Sequence, residues 1–432
     1  MRRLLFIFSF LSLLVVDGKA QEVETLTLED CLRIGIDNNL SLEGKRKEIQ
    51  RSKYGVSENR SKLLPQINAI AGYNNNFDPP VSVTDGSSYG VPYNITKTLQ
   101  HSANAGLEMQ MPLFNQTLYT SMSIAKVMEE ISRLSYGKAR EDVILQISKM
   151  YYLGQVTAEQ IMLIKANIIR LEELRDITQA FFDNGMSMEV DLKRVNINLE
   201  NLKVQYDNAQ AMMKQQLNML KYIMDYPAEK EIALTPVNTD SITTVALTGL
   251  SENIYELQLS QSQVQLAERQ KKIIANGYIP SLSLTGSWRY AAYTDKGYHW
   301  FHSGPSNHWF RSYGVGLTLR IPIFDGLDKK YKIRKAMIDI ETMKLSRLDT
   351  QKNLQTQYLN AVNDLMNNQR NFKKQKDNYL LAEEVYTVTT DRYREGITSM
   401  TEVLQDEMRM SEAQNNYISA HYNYRVTNLM LL

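Results

Sequence analysis

Three short patterns occur twice in this chain, in the same order and at nearly the same separation. KLLPQINAIAGY at 62–73 returns as GYIPSLSLTGSW at 277–288, and AGLEMQMPLF at 105–114 returns as VGLTLRIPIF at 315–324. FFDNGMSMEVDL at 181–192 returns as RYREGITSMTEVL at 392–404. The landmark pairs Pro65/Pro280, Pro112/Pro322 and Gly185/Gly396 are offset by 215, 210 and 211 residues. Self-similarity at one offset means that one structural plan is used twice. The expectation is a first repeat over 21–224, a second over 250–432, and a joining stretch over 225–249 that carries Pro227 and Pro236.

Within each repeat, short segments of period two interrupt long helical ones. Ala103, Ala105, Leu107, Met109, Met111 and Leu113 alternate with Asn104, Gly106, Glu108, Gln110 and Pro112. Leu282, Leu284, Gly286, Trp288 and Tyr290 alternate with serines, Thr285 and Arg289, and Val315, Leu317, Leu319 and Ile321 alternate with Gly314, Gly316, Thr318 and Arg320. Residues 66–76 alternate less cleanly, because Ile70 falls among Asn68, Asn74 and Asn76. Such alternation predicts strands with one apolar and one polar face, at about 65–76, 102–113, 280–292 and 312–323. The loops 77–98 and 294–311 are rich in Pro, Gly, Asn and Ser.

The remaining segments carry heptads. Tyr358, Leu365, Phe372, Tyr379, Tyr386 and Tyr393 are seven apart, as are Val403, Met410, Tyr417, Tyr424 and Leu431, and as are Leu192, Leu199, Tyr206, Met213 and Leu220. This spacing marks sustained helix–helix seams. A weaker counterpart is expected over Ile147, Ile161, Ile168 and Phe182, interrupted by Gly154 and Arg175. A continuous helix over 325–392 would reach ~100 Å at 1.5 Å per residue.

Residues 1–20 read as a secretory signal peptide: Arg2 and Arg3, an apolar run from Leu4 to Val16, then Gly18-Lys19-Ala20. No later apolar run approaches the roughly 18–20 residues of a helical membrane span, so any membrane part is built of β-strands. Lys plus Arg number 49 against 48 Asp plus Glu, a balance that gives no reason to expect a nucleic-acid partner. Cys31 is the single cysteine, so no internal disulfide can form, and it reads as a free structural thiol.

Four strands cannot close a barrel, and an open edge cannot face lipid, where its backbone groups find no water. Strands in a membrane must therefore come from several copies sharing one barrel. Two copies give eight strands around packed side chains, whereas three give twelve around a lumen. The polar set, including Asn104, Glu108, Arg289 and Arg320, suits a wet lumen, and the apolar set suits outer-membrane lipid. Trp288, Trp300 and Trp309, with Tyr290, Tyr293, Tyr298, Phe301, Phe310 and Tyr313, suit an aromatic girdle at the rim. An aromatic cluster inside a long loop is the other reading.

Taken together, LTLEDCLRIGIDNN at 26–39, LLPQINAIAGY at 63–73, the strand-Pro-(Leu/Ile)-Phe steps ending at Phe114 and Phe324, and Tyr393-Arg-Glu-Gly396 followed by TEVL resemble the TolC family of outer-membrane efflux proteins. The resemblance implies a mainly α fold with membrane β: a twelve-stranded β-barrel shared by a homotrimer and continued by a long periplasmic α-helical barrel, in a Gram-negative outer membrane. It implies a passive export duct for small molecules or proteins. Its partners would be a periplasmic adaptor protein and a proton-driven or ATP-driven inner-membrane transporter. It also places the turns at Gly185 and Gly396 at the periplasmic tip. There Tyr393 would tie to Asp191, and Glu402 would ring the pore. The chain departs from the family pattern at Thr398, where some members carry an arginine that adds a second tie, and at Gln405, where some carry a second acid. Arg392 or Arg394 could stand in for the missing arginine. The carboxylates of Asp191 and Glu402 also fit plain solvated positions in a first helical turn.

No nucleotide loop, nucleophile elbow or His-Glu metalloprotease motif is present, so neither catalysis nor a cofactor is expected. His299, His302 and His308 match no common zinc spacing and read as loop histidines. The main rival to a duct is a non-conducting periplasmic coiled-coil scaffold or adhesin.

Overall fold

The computed structural model describes residues 24–85, 87–236, 249, 253–294 and 309–430. The signal-like segment 1–20, Leu431, Tyr298, Trp300, Phe301 and the three loop histidines fall outside these residues. In order, the elements are β1 (Glu24–Leu26), α1 (Leu28–Asn38), α2 (Leu40–Ser61), β2 (Gln66–Asn75), β3 (Val81–Asp85), β4 (Tyr93–Lys97), β5 (His101–Phe114), α3 (Gln116–Asp183) and α4 (Glu189–Met224). They continue with β6 (Ile232–Leu234), α5 (Tyr255–Asn276), β7 (Ser281–Thr294), β8 (Trp309–Arg320), α6 (Asp328–Arg394) and α7 (Met400–Leu429). Helix, strand, strand, long helix, glycine turn, helix is thus the element plan of each half, and α3 and α6 are 68 and 67 residues long.

The chain divides into two compact units, and α2, α3 and α6 contribute to both. One unit comprises residues 44–138 and 251–353 and contains an antiparallel sheet of order β2-β5-β7-β8. The β5–β7 pairing joins strands from the two halves of the chain. The loop between β2 and β5 is not irregular throughout: β3 and β4 form a hairpin with Val83 opposite Ile95. Its two alternating pieces are only five residues each, too short to stand out among the prolines and glycines around them.

The other unit comprises residues up to 43, 139–250 and 354–432. Thr27 starts α1 with a reciprocal cap, its hydroxyl accepting from the Asp30 amide at 3.1 Å while Asp30 accepts from the Thr27 amide at 3.3 Å. Part of the joining stretch becomes β6, which pairs in parallel with β1. Cys31 is fully buried, and burial pushes its thiol up to about 12, so it stays protonated and unreactive at neutral pH.

The unit's main core joins Leu171 and Leu174 of α3, Val195, Leu199 and Leu202 of α4, Tyr386 and Tyr393 of α6, and Met400, Val403 and Met410 of α7. Fully burying each aliphatic or Met side chain here contributes about 1.5–3 kcal/mol. The heptads of α6 and α7 run along these inward positions, whereas in α4 Leu199 and Leu220 are buried but Leu192, Tyr206 and Met213 only half-buried, and the row Val195, Leu202, Ala209, Gln216 and Ile223 is buried instead. The α3 seam lies only in part where its apolar residues suggest, with Ile147 fully buried. Ile161 and Ile168 are only half-buried and Phe182 is exposed, while Thr157, Ile164, Leu171 and Thr178 are buried at a spacing of seven. Half of that row is threonine, which an apolar period count passes over. The Thr178 hydroxyl survives burial by donating to the Leu174 carbonyl at 2.7 Å. Asn167 likewise donates to Gln414 Oε1 at 2.6 Å.

Two glutamates in this unit, Glu159 half-buried and Glu407 buried, have opposite surroundings. Glu159 accepts from the Tyr417 hydroxyl at 2.8 Å and from His421 Nδ1 at 3.0 Å. Arg425 Nε donates to His421 Nε2 at 2.9 Å, so that nitrogen is the acceptor and the fully buried ring carries its proton on Nδ1. Burial works against the Glu159 carboxylate, but the hydrogen bonds from His421 and Tyr417 and the Arg425 charge outweigh it and hold its pKa below the ordinary glutamate value. Glu407 makes no hydrogen bond or ion pair among the described residues. Burial raises its pKa, and Arg170, held by Glu383 at 3.0 Å, only partly offsets this.

A depressed carboxyl adds stability above its unfolded pKa and loses it as pH falls through the folded one; a raised carboxyl does the reverse. Glu159→Gln should therefore lower the thermal midpoint of helical circular dichroism at pH 7.5 and have little effect at pH 3. Glu407→Gln should raise the midpoint at pH 7.5, and that gain should vanish towards pH 4. Equal shifts at both pH values would contradict these charge assignments.

Candidate functional site: a polar sheet face and two glycine turns

Register settles which side chains share a face of the sheet. Glu108 lies opposite Asn68 and Ser287, Asn104 opposite Gly72 and Ala291, Arg289 opposite Gly106 and Ser312, and Ser281 opposite Arg320. Asn104, Glu108, Arg289 and Arg320 therefore lie on one face, with Gln66, Asn68, Gln110, Ser283, Thr285 and Thr318. Arg289 and Glu108 form an ion pair across the β5–β7 ladder, one step off direct opposition. Ile70 is a large aliphatic residue on this face, which explains the poor alternation of its strand.

The opposite face holds Ile67, Leu107, Met109, Leu284, Leu317 and Leu319, with Tyr73, Trp288, Tyr290, Trp309 and Tyr313 towards the end remote from α5 and α6. Trp288 and Tyr290 meet edge to face at 5.5 Å. Tyr293 and Phe310 do not join this set, because Tyr293 pairs with Ser102 and Phe310 with Ala291 on the polar face. The edge strand β8 is exposed along its whole length, with Val315 80% and Leu317 66% accessible. An apolar, uncovered face of this kind marks contact with lipid or another chain. No helix among the described residues is long and apolar enough to cross a membrane.

The second site lies in the other unit. α3 and α6 end in the same way. The Gly185 amide donates to the Phe182 carbonyl at 2.9 Å and Met186 to Phe181 at 2.7 Å; Gly396 donates to Tyr393 at 2.9 Å and Ile397 to Arg392 at 2.9 Å. This double closure needs a left-handed residue, and Gly185 and Gly396 have φ of 77° and 73°. Ser399 then caps α7, its hydroxyl accepting from the Glu402 amide at 3.4 Å. Glu402 is exposed and is hydrogen-bonded by the Thr398 hydroxyl, and Gln405 is exposed one turn on.

Asp191 is not hydrogen-bonded to Tyr393 within the chain. Arg194 holds it at 3.1 Å and reaches across to the Thr401 hydroxyl at 3.3 Å, tying α4 to α7. Arg194 was legible only as a charge three residues from Asp191 on one helix face. Arg394 is engaged by Asp391 at 3.2 Å and Glu173 at 3.7 Å. Tyr393 packs on Phe181 at 5.6 Å, and its hydroxyl is buried with no partner. Burial raises its pKa, the Thr178 side chain beside it partly offsets this, and the nearby Asp191 carboxylate adds to the rise. A buried orphan hydroxyl costs roughly 1–3 kcal/mol.

The family described as outer membrane efflux protein matches residues 34–224 and 246–432. The chain belongs to that family. It is 21% identical over 392 residues to the outer membrane protein TolC of Vibrio cholerae, covering 87% of this chain and 83% of that protein. It is 23% identical over 415 residues to the probable efflux pump outer membrane protein TtgC of Pseudomonas putida, covering 90% and 79%. Among solved structures, it resembles CusC with a TM-score of 0.77 at 16% identity, covering 94% of this chain and 90% of that one. It also resembles the channel OprN at 0.75 and 15%, covering 94% and 88%. An outer-membrane efflux protein with a periplasmic helical extension is thus the class to which this efflux chain belongs.

Both glycine turns should be intolerant of a Cβ. Gly185→Ala and Gly396→Ala should each destabilise by ~1–2 kcal/mol, while Gly396→Asn, which tolerates the left-handed region better, should cost less. Denaturant melts followed by circular dichroism give the ranking, and an Ala variant equal to wild type would sink the assignment.

Proposed function

We propose that three copies of this efflux protein share one twelve-stranded barrel, each β8 pairing with the next copy's β2, so that the polar faces line a passive export duct. One observation carries the reading: a four-stranded sheet with one polar face, one apolar face and two open edges. Lipid can accept the apolar face, but only another strand can satisfy the edges. Three copies leave a lumen where two would not. Trp288, Tyr290, Trp309 and Tyr313 then form the rim girdle. Residues 1–20 direct export, and the repeats 21–224 and 250–432 are joined through 225–249. The protein is not an enzyme. It receives drugs, toxic compounds or proteins from a periplasmic adaptor and a proton-driven or ATP-driven inner-membrane transporter.

The glycine turns at Gly185 and Gly396 form the periplasmic tip, with one exposed ring of three Glu402 carboxylates and uncharged Gln405 beyond it. The orphan Tyr393 hydroxyl next to Asp191 supports a gate whose tie is made in one state and open in another. A phenol–carboxylate hydrogen bond would contribute about 1.5–3 kcal/mol per copy. That is enough, three times over, to favour a closed tip that an adaptor can still open.

Chemical crosslinking in mild detergent should give a ladder that ends at three subunits. A ladder ending at two, or a monomeric mass, rules out the shared barrel. In planar bilayers, Tyr393→Phe combined with Asp191→Ala should raise resting conductance, and Glu402→Gln should weaken block by multivalent cations from the periplasmic side. If conductance and block both stay at wild-type values, the tip is wrongly placed.

A further inference from the structure

Among the described strand residues, only Glu108, Arg289 and Arg320 on the polar face are ionised at neutral pH. Glu108 and Arg289 neutralise one another across the ladder. Arg320 is different. It lies opposite Ser281 at the end of the sheet next to α5 and α6, is exposed, and makes no hydrogen bond or ion pair among the described residues. The acids close by in sequence, at the helix-side ends of the strands, are already taken: Asp325 by Lys329 at 3.1 Å, Asp328 by Lys332 at 2.7 Å, and Glu58 by Lys62 at 3.4 Å. Each copy therefore presents one uncompensated positive charge on its polar face.

We propose that Arg320 forms a ring of three free guanidinium groups in the barrel and that this ring binds oxyanions carrying two or more negative charges. The inference rests on the shared-barrel reading, because the site exists only when the copies contribute one arginine each. A guanidinium offers a planar fork of donors that matches phosphate or carboxylate oxygens two at a time. Three such forks facing a low-dielectric wall concentrate anions by field focusing. A single exposed arginine in bulk water would not do so, since salt at 0.1 M screens beyond roughly 10 Å. Anionic cargo would thus meet a cationic belt in the barrel, opposite in sign to the Glu402 carboxylates of the tip turns. The Glu108 pair sets the size of the effect, because removing that acid frees Arg289 as a second ring.

The test is conductance of the full-length protein in planar bilayers, with inorganic tripolyphosphate as the probe. Wild type should be blocked at a concentration about tenfold below that needed for Arg320→Gln, as expected for loss of a charge-assisted site. Arg320→Lys should keep part of the block, and Glu108→Gln should tighten it. Heat-stable trimers on a gel check that each variant assembles. If trimeric channels open normally but wild type and Arg320→Gln respond equally, the ring is refuted and the duct stands. If trimers form but never conduct, or no trimers form, both readings fall together.

Discussion

A β-sheet with two free edges is tolerable in water and intolerable in hydrocarbon, and most of this chain's architecture answers that constraint. β2 and β8 each carry one row of backbone donors and acceptors that no other strand among the described residues satisfies. In lipid each such group costs several kcal/mol unless another strand satisfies it. Charging, bulging or twisting an edge protects a soluble protein. β8 carries charge only near its two ends, at Arg311 and Arg320, and between them runs through Tyr313, Val315, Leu317 and Leu319 with every residue exposed. It is built to be covered.

The helices solve a different problem. A seam sustained over segments of more than 60 residues, if purely apolar, would let helices slide by whole heptads with little penalty. The buried polar groups remove that freedom. Asn167 meets Gln414, Thr389 meets Asp406 at 2.8 Å, and the Glu159–His421–Arg425 chain joins α3 to α7. Each needs its partner at one register, and a slip would leave it buried and unpaired at a cost of about 1–3 kcal/mol. Such pairs specify alignment more than they add net stability.

This is also why the sequence was legible in some places and opaque in others. Strand faces follow from parity, so Asn104, Glu108, Arg289 and Arg320 could be placed together from alternation alone. Tyr293 and Phe310 show the limit: they were grouped with the rim aromatics by composition, and parity puts them on the other face. The α3 seam departs from the apolar count because polar residues are buried on it: Asn167 bonds Gln414, 247 residues away, and Thr178 bonds the Leu174 carbonyl of its own helix. Periodicity of apolar residues carries no record of such partners. β1 and β6 were missed for a related reason: three residues each, far apart in sequence, and held by pairing alone.

Duplication explains the paired turns, and divergence explains why they are not equivalent. Gly185 and Gly396 close α3 and α6 with the same two hydrogen bonds, so the backbone of one turn repeats in the other. The side chains then part. In the first repeat Asp191 is bound by Arg194, which spends its second contact on Thr401 of the other repeat. In the second repeat the Glu402 carboxylate is held, among the described residues, by its neighbour Thr398 and stays exposed. Two identical turns would have given each copy two equal free carboxylates, whose mutual repulsion opposes their close approach. With one acid locked to an arginine and the other free, each copy offers one exposed charge to solutes and keeps one neutralised acid for holding helices together. Fusing two copies of one plan into a single chain makes that division possible, because only then can the two turns mutate apart.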